Sequence, residues 1–351
     1  MAEVLVTIRP TLESVAMHAQ VSRQTVSNVI NSPSIVSPHT ADRVRRAIAE
    51  LDYRPSRAAR QLRTRRSMML ALRLEPDRGG INGSVLDRFL HAVVTGAQAA
   101  SYRVVLYTAA DDDAEIAAFH DLLSGNDLDG FLLTSTHHGD KRTRWLAERR
   151  IPFCTFGRPW GAAAHQGVDQ PHSWVDVDGA AGTRAAVGHL VQRGHRRIAF
   201  LGWPAGSGVG DDRRSGWERG LREAGLEADP RLDARVDDDV EAGRSVTMSL
   251  LELAAPPTAL VCASDSLALG AMSVGQAPVG ARRLAVTGFD NTPVARAVGL
   301  TSVGQPLDDV AAECLRLILA TIAKPGSPPD RVLIEPTLAL RTSTAHSPDT
   351  T

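Results

Sequence analysis

Four side chains in one short stretch, Arg23, Gln24, Ser27 and Asn28, share the polar side of a segment. Its apolar residues, Val26, Val29 and Ile30, fall together on a helix. A guanidinium pairs bidentately with guanine, and the amides of Gln and Asn pair with adenine, so such a front has the chemistry to read bases in a major groove. The hydroxyls of Ser22, Thr25 and Ser27 suit phosphate oxygens; for Thr25 and Ser27, helix packing or capping is the other reading. A second group lies far downstream. Asp290 closes the run Val286-Thr287-Gly288-Phe289, where a carboxylate can accept from two hydroxyls at once. Trp160, in Gly157-Arg158-Pro159-Trp160, and Trp203, just after an apolar run, stand out because the chain has only five Trp. Each could stack on a pyranose face, or serve at a rim or interface.

Other chemistries lack their residues. The chain has no G-x-S-x-G, no G-x-x-x-x-G-K-[ST] and no H-E-x-x-H. Gly206-Ser207-Gly208-Val209-Gly210 resembles a phosphate-cradling loop only superficially. Asp211-Asp212 follow it and would repel a pyrophosphate, so a mobile cleft loop is the better reading. His137-His138 with Asp140 could approach a metal, but there is no second ligand cluster, and no metal or cofactor is expected. Cys154, Cys262 and Cys314 are scattered and odd in number, matching neither a disulfide framework nor a zinc spacing.

The elements that must position these groups can be read from period and caps. Thr11 caps a helix with Leu12, Val15, Ala16 and Ala19 inward. Gln20-Val21 breaks the pattern and Ser22 caps the next helix, ended by Asn31-Ser32-Pro33; Ser37-Pro38 opens a third, with Val44, Ala47, Ile48 and Leu51 inward. Two short helices across a tight turn, the second with a polar front, describe a helix-turn-helix. Gln20 stands where the backbone tends to positive φ, at a cost of ~1 kcal/mol relative to Gly.

From Met68 the texture changes to apolar runs alternating with amphipathic stretches. Strands are expected at 68–72, 103–107, 130–133 and 152–156, with helices at 85–100, 115–123 and 143–149. A second series has strands at 197–201, 259–262 and 284–287 and helices at 178–192, 215–224, 243–253, 266–272 and 307–323. Such alternation implies parallel doubly wound sheets, and two series imply two lobes with a ligand cleft at the strand ends. Asp176 and Asp178 are candidates for a ligand acceptor and a helix cap.

The formal charge of −1 conceals an asymmetry: residues 1–67 hold eleven Arg and no Lys against five acidic residues, a net +6, leaving −7 on the remainder. A basic head on an acidic body suits either a polyanion partner for the head or a solvated helical face. No stretch approaches the ~18 apolar residues of a bilayer span. Met1–Thr7 lacks a basic flank, so the expectation is a cytoplasmic protein with no membrane association.

The phrases Thr11-Leu12-x-x-Val15-Ala16-x-x-Ala19-x-Val21-Ser22-x-x-Thr25-Val26-Ser27-x-Val29-x-Asn31, Val36-Ser37-x-x-Thr40 and Leu51-x-Tyr53-x-Pro55 resemble the lactose-repressor (LacI/GalR-type) family of bacterial transcriptional regulators. The resemblance continues through His189-Leu190-x-x-x-Gly194-His195, Arg213-x-x-Gly216-Trp217, Ala263-x-Asp265-x-x-Ala268-x-Gly270 and Gly288-Phe289-Asp290-Asn291, and so covers nearly the whole chain. It implies an all-α helix-turn-helix head (1–55), a hinge (56–67) and an α/β two-lobed, periplasmic-binding-protein-like sensor body (68–351). Arg23, Gln24 and Asn28 would read bases, with Thr11, Ser22, Thr25, Ser27, Asn31 and Tyr53 also on the DNA side. Arg57, Ala59 and Leu62 lie in the hinge, with Leu62 where the family wedges a leucine into the minor groove; a flexible basic linker is the plainer reading. Arg213 would bind sugar hydroxyls, Ser264 and Gln305 occupy other cleft positions, and Asn82 and His137 lie near first-lobe loops. His195 would be structural.

Together these imply a non-enzymatic, homodimeric regulator of a near-palindromic double-stranded operator. The expected function is a repressor of carbohydrate uptake or catabolism genes, relieved by a sugar or oligosaccharide effector. The alternative is a corepressor-dependent repressor, or an activator, sensing a nucleobase or other small metabolite. The polar tail from Arg341 has no leucine heptad, which favours a dimer over a tetramer.

Overall fold

The structure, a computed structural model, describes residues 10–53, 66–75, 83–125, 128–161, 172–275 and 284–346. Of the residues singled out above, Arg57, Ala59, Leu62 and Asn82 lie outside this set. The chain divides into two compact units, residues 1–67 and 68–351.

In the first unit, α1 (Leu12–His18), α2 (Arg23–Asn31) and α3 (Pro38–Glu50) close around Val15, Val26, Val29, Ala41 and Val44. Each helix start follows a local hydroxyl cap: Thr11, Ser22 and Ser37 accept from the backbone amides of Ser14, Thr25 and Thr40. Thr11 and Ser14 complete a reciprocal capping box. Gln20, in the turn between α1 and α2, has φ 50°, the left-handed conformation expected of that position.

The second unit holds two six-stranded sheets. In lobe 1 the order is β11-β5-β4-β3-β1-β2, from β1 (Met69–Arg73), β2 (Arg103–Tyr107), β3 (Gly130–Leu133), β4 (Phe153–Phe156), β5 (Ser173–Val177) and β11 (Arg331–Ile334), all parallel. In lobe 2 it is β12-β10-β9-β8-β6-β7, from β6 (Ile198–Gly202), β7 (Asp233–Arg235), β8 (Ala259–Cys262), β9 (Ala285–Asp290), β10 (Thr301–Gly304) and β12 (Thr337–Ala339), with β12 antiparallel to β10. The lobe 1 helices are α4 (Gly83–Ala99), α5 (Asp112–Gly125) and α6 (Lys141–Glu148); lobe 2 carries α7 (Gly179–Gln192), α8 (Val209–Glu223), α9 (Val240–Leu251), α10 (Asp265–Gly275) and the short α11 (Pro293–Ala297).

The final long helix, α12 (Leu307–Ala323), corrects the expected division into two successive series. Its Val310, Cys314, Leu317 and Ile318 pack in the lobe 1 core with Leu70, Phe89, Leu132 and Cys154. The chain therefore passes between the lobes three times: after β5, after β10 and after β11. Sequence order did not reveal this, because an amphipathic helix records that it has an apolar face and not which sheet covers it. Strands β5, β7, β10, β11 and β12 were also unanticipated. Polar residues, such as Ser173 and Asp176 in β5 and Thr301 and Ser302 in β10, interrupt the apolar runs that mark the others. A further difference is that α8 begins at Val209 rather than 215. Asp211 and Asp212 occupy its first turn, where carboxylates complement the helix dipole.

Candidate functional site

On the head, Arg23 and Gln24 are exposed at the start of α2. Gln24 Nε2 donates to Asn28 Oδ1 at 2.9 Å, which aligns two amides one turn apart on a single face. The neighbouring hydroxyls are partly committed: Ser22 Oγ caps α2 and lies 2.9 Å from Thr25 Oγ1, and Asn31 Nδ2 donates to the Ser27 carbonyl at 2.7 Å. Tyr53, placed on the DNA side by the sequence reading, packs into the head's core instead, and burial pushes its phenol pKa up.

In the body, a cavity of about 1440 Å³ opens between the lobes at the strand ends. Arg213, Asp290, Gln305, Trp160, Trp203 and His137 all line it. Asp290 is the last residue of β9 and Gln305 follows β10, the adjacent strand, so Gln305 Nε2 donates to Asp290 Oδ1 at 2.7 Å. Arg213 reaches the same wall from α8. Its guanidinium lies 3.6 Å above the Phe289 ring, 5.1 Å from that of Trp203, and 3.8 Å from Asp290 Oδ1. It donates through one terminal nitrogen to the Ala263 carbonyl, while Nε has no partner. Burial lowers the Arg213 pKa, and burial pushes the Asp290 carboxyl up to about 7 against the opposing pull of Arg213. Trp203 Nε1 and Ser207 Oγ, on residues that line the same cavity, are also buried without a partner. Such donors are costly to bury unmatched, and a polyhydroxylated ligand would satisfy them.

Trp160 sits on the lobe 1 side, its Nε1 donating to Thr136 Oγ1 at 3.1 Å. Its indole lies against Gly208, at the start of α8 in lobe 2, where φ is +68° and a Cβ would stand 2.7 Å from the ring. Arg158 adds a second link between the lobes, bonding Asp176 Oδ2 at 2.6 Å and Asp212 Oδ2 at 3.2 Å. Burial raises the Asp212 pKa, opposed by Arg158. Asp178 caps α7 through Ala181 N, whereas Asp176 lines the cavity. The Gly206–Gly210 loop leads into α8, with Ser207 and Val209 on the cavity wall.

Ser264 is corrected. It is fully buried, does not line the cavity, caps α10 through Leu267 N and donates to Asp238, which does line it. Its place is behind the wall. His195 is likewise buried, its ring nitrogens against Thr258 Oγ1 and the His346 carbonyl.

Beneath the lobe 1 wall runs a charge network that the sequence did not announce. Glu115 receives Arg73 at 2.7 Å, Arg142 at 2.9 Å and the Tyr107 hydroxyl at 2.9 Å, while Arg142 also takes both oxygens of Asp140. Asp112, His137 and Asp140 hold donor atoms within 4.8 Å of one another, but Asp140 is engaged by Arg142, whose charge opposes a cation there. Arg158, Asp212, Asp238 and Glu75 were not assigned cleft roles from sequence. Only the acidic runs around Asp212 and Asp238 offered any local sign of them.

Comparison with known proteins accounts for both units. Residues 11–56 match the model of bacterial regulatory proteins of the lacI family, and residues 187–344 match a periplasmic binding protein-like domain. The HTH-type transcriptional regulator CelR of Thermobifida fusca is 36% identical, with 95% of this chain and 98% of that protein covered. A solved complex of the transcriptional regulator CelR with cellobiose superposes with a TM-score of 0.70 at 33% identity, covering 95% of this chain and all of that one. The lac repressor dimer bound to operator and the anti-inducer ONPF gives a TM-score of 0.76 at 26% identity, over 96% of this chain and 99% of that one.

Proposed function

This chain belongs to the lacI family of bacterial regulatory proteins, DNA-binding transcriptional regulators, and from that membership we propose that it is a homodimeric repressor of carbohydrate uptake or catabolism genes, released by a sugar bound in the interlobe cleft. The observation that carries this reading is the lobe 2 wall: Arg213, Asp290 and Gln305 form a polar array beside the Phe289 and Trp203 rings. Acceptors and donors fixed next to aromatic faces match the hydroxyl edges and apolar faces of a pyranose. The cellobiose complex of CelR supports a glucose-containing oligosaccharide as the first ligand to try.

On DNA, twofold symmetry would set one α2 in each half-site of a near-palindromic operator, with Arg23, Gln24 and Asn28 toward base edges and Ser22, Thr25, Ser27, Thr11 and Asn31 toward the backbone. Arg57, Ala59 and Leu62 form the proposed hinge contacts, Leu62 as a minor-groove wedge. Effector binding would act through a difference in affinity between two arrangements of the lobes. Trp160 on Gly208 and Arg158 on Asp212 are contacts that any change of lobe angle must alter.

The test is selection of an operator from randomised duplexes by the full chain, then release by a saccharide panel, with Arg213→Ala alongside. The variant should hold the operator and ignore the sugar; a normal response would remove Arg213 from the site. If no duplex is preferred with or without sugar, the repressor reading is lost.

A further inference from the structure

We infer that the cleft selects an uncharged glycan and rejects the phosphorylated form of the same sugar; this rests on the reading of the cleft as a sugar site. Among the described residues the cavity is lined by nine carboxylates against three cations, Arg73, Lys141 and Arg213. Each cation is already committed. Arg73 bridges Glu75 at 2.6 Å and Glu115 at 2.7 Å, and Lys141 Nζ holds Asp113 at 3.0 Å. Arg213 has Asp290 3.8 Å away, and Asp238, Asp176 and Asp212 also act on its charge. His137, were it protonated, faces Asp112 at 3.0 Å. A phosphate approaching the buried Arg213 guanidinium would therefore meet the carboxyl groups of Asp290, Asp238, Asp176 and Asp212 around it, and one approaching Arg73 would meet Glu75 and Glu115.

Helix starts are the other common receptors for a phosphate, because their first amides are unpaired and the dipole favours an anion. Five begin on this cavity; α4 has no acidic residue in its first turn, and the other four already carry the protein's own carboxylates. α5 has Asp111, Asp112 and Asp113, with Asp111 Oδ1 accepting from Ala114 N. α6 is capped by Asp140, and α8 has Asp211 and Asp212 in its first turn. α7 is capped by Asp178, and its Ala180 N donates to Asp212 Oδ2. At the starts of α5, α6, α7 and α8 the positions a phosphate would use are filled by the protein's own carboxyl groups, which remain acceptors for hydroxyls. Trp203 Nε1, Ser207 Oγ and Arg213 Nε supply the complementary donors. The sensed molecule is thus a sugar delivered unphosphorylated by a transporter or freed by glycoside hydrolysis, ahead of any kinase or phosphotransferase step.

Calorimetric titration of the full-length protein with cellobiose, maltose and trehalose, each beside its 6-phosphate, tests this. The neutral form of whichever sugar binds should exceed its phosphate by at least about 100-fold at low salt, with the gap narrowing as salt screens the carboxylates. Asp113→Asn, an exposed change that frees Lys141, should reduce the gap by about tenfold. A phosphate that binds within tenfold of the neutral sugar, or a gap indifferent to both salt and Asp113→Asn, overturns the inference alone. If neither form of any of the three binds, the sugar reading of the cleft falls as well.

Discussion

Asp290→Asn should make the unliganded protein more stable while impairing its response to effector. Burial holds the Asp290 carboxyl at about 7, against a value of 3.8 for the unperturbed group. The native state therefore keeps a proton that the unfolded chain has released, and stability falls as pH rises from about 4 to about 7. Above that, the ionised carboxylate carries a constant penalty. A gap of about 3 pH units is worth about 4 kcal/mol at 1.36 kcal/mol each. Asparagine removes the charge, retains an Oδ1 for Gln305 Nε2 and tolerates the positive φ of 107° at this position. Urea melts without sugar should show the variant more stable by about 4 kcal/mol at pH 8 and by less than about 2 kcal/mol at pH 5. Sugar affinity should fall about 10- to 100-fold, as for loss of a charged hydrogen-bond acceptor. Equal stability at pH 8, or an unchanged pH slope, would refute the argument that the carboxylate is strained for ligand binding.

Three further outcomes follow from particular contacts. Arg23→Ala should cost about 1–3 kcal/mol at the operator and relax preference at one base per half-site; an equal loss on random DNA would make Arg23 a phosphate contact. Gln20→Gly relieves a left-handed residue at φ 50° and should stabilise the protein by about 0.5–1 kcal/mol in thermal melts, with no gain counting against strain there. Arg142→Met leaves buried Glu115 and Asp140 without this partner and should cost about 3–5 kcal/mol in urea melts. A loss below about 1 kcal/mol would mean that Arg73 and Tyr107 suffice for Glu115.

The head was largely legible because its determinants are local. A hydroxyl at Thr11, Ser22 or Ser37 finds its amide three residues on, and Val26, Val29 and Ile30 share a face by helical period alone. Tyr53 was misplaced because its burial depends on three helices closing over it. In the body, the apolar runs at β2, β3 and β8 announced themselves, whereas β10 and β12 acquire strand identity only from the neighbours they pair with.

The cleft divides along the same line. Residue type and a position at a strand end marked Asp290 and Trp203, and the family phrase marked Arg213. Only the tertiary structure brought Arg158 to Asp212, put Ser264 behind Asp238 and gave α12 to lobe 1. Caps and amphipathic faces are set within about four residues of chain, a range over which backbone geometry leaves few alternatives. Ion pairs and cavity walls join segments tens of residues apart, and their partners are decided by which surfaces the packed sheets bring into contact.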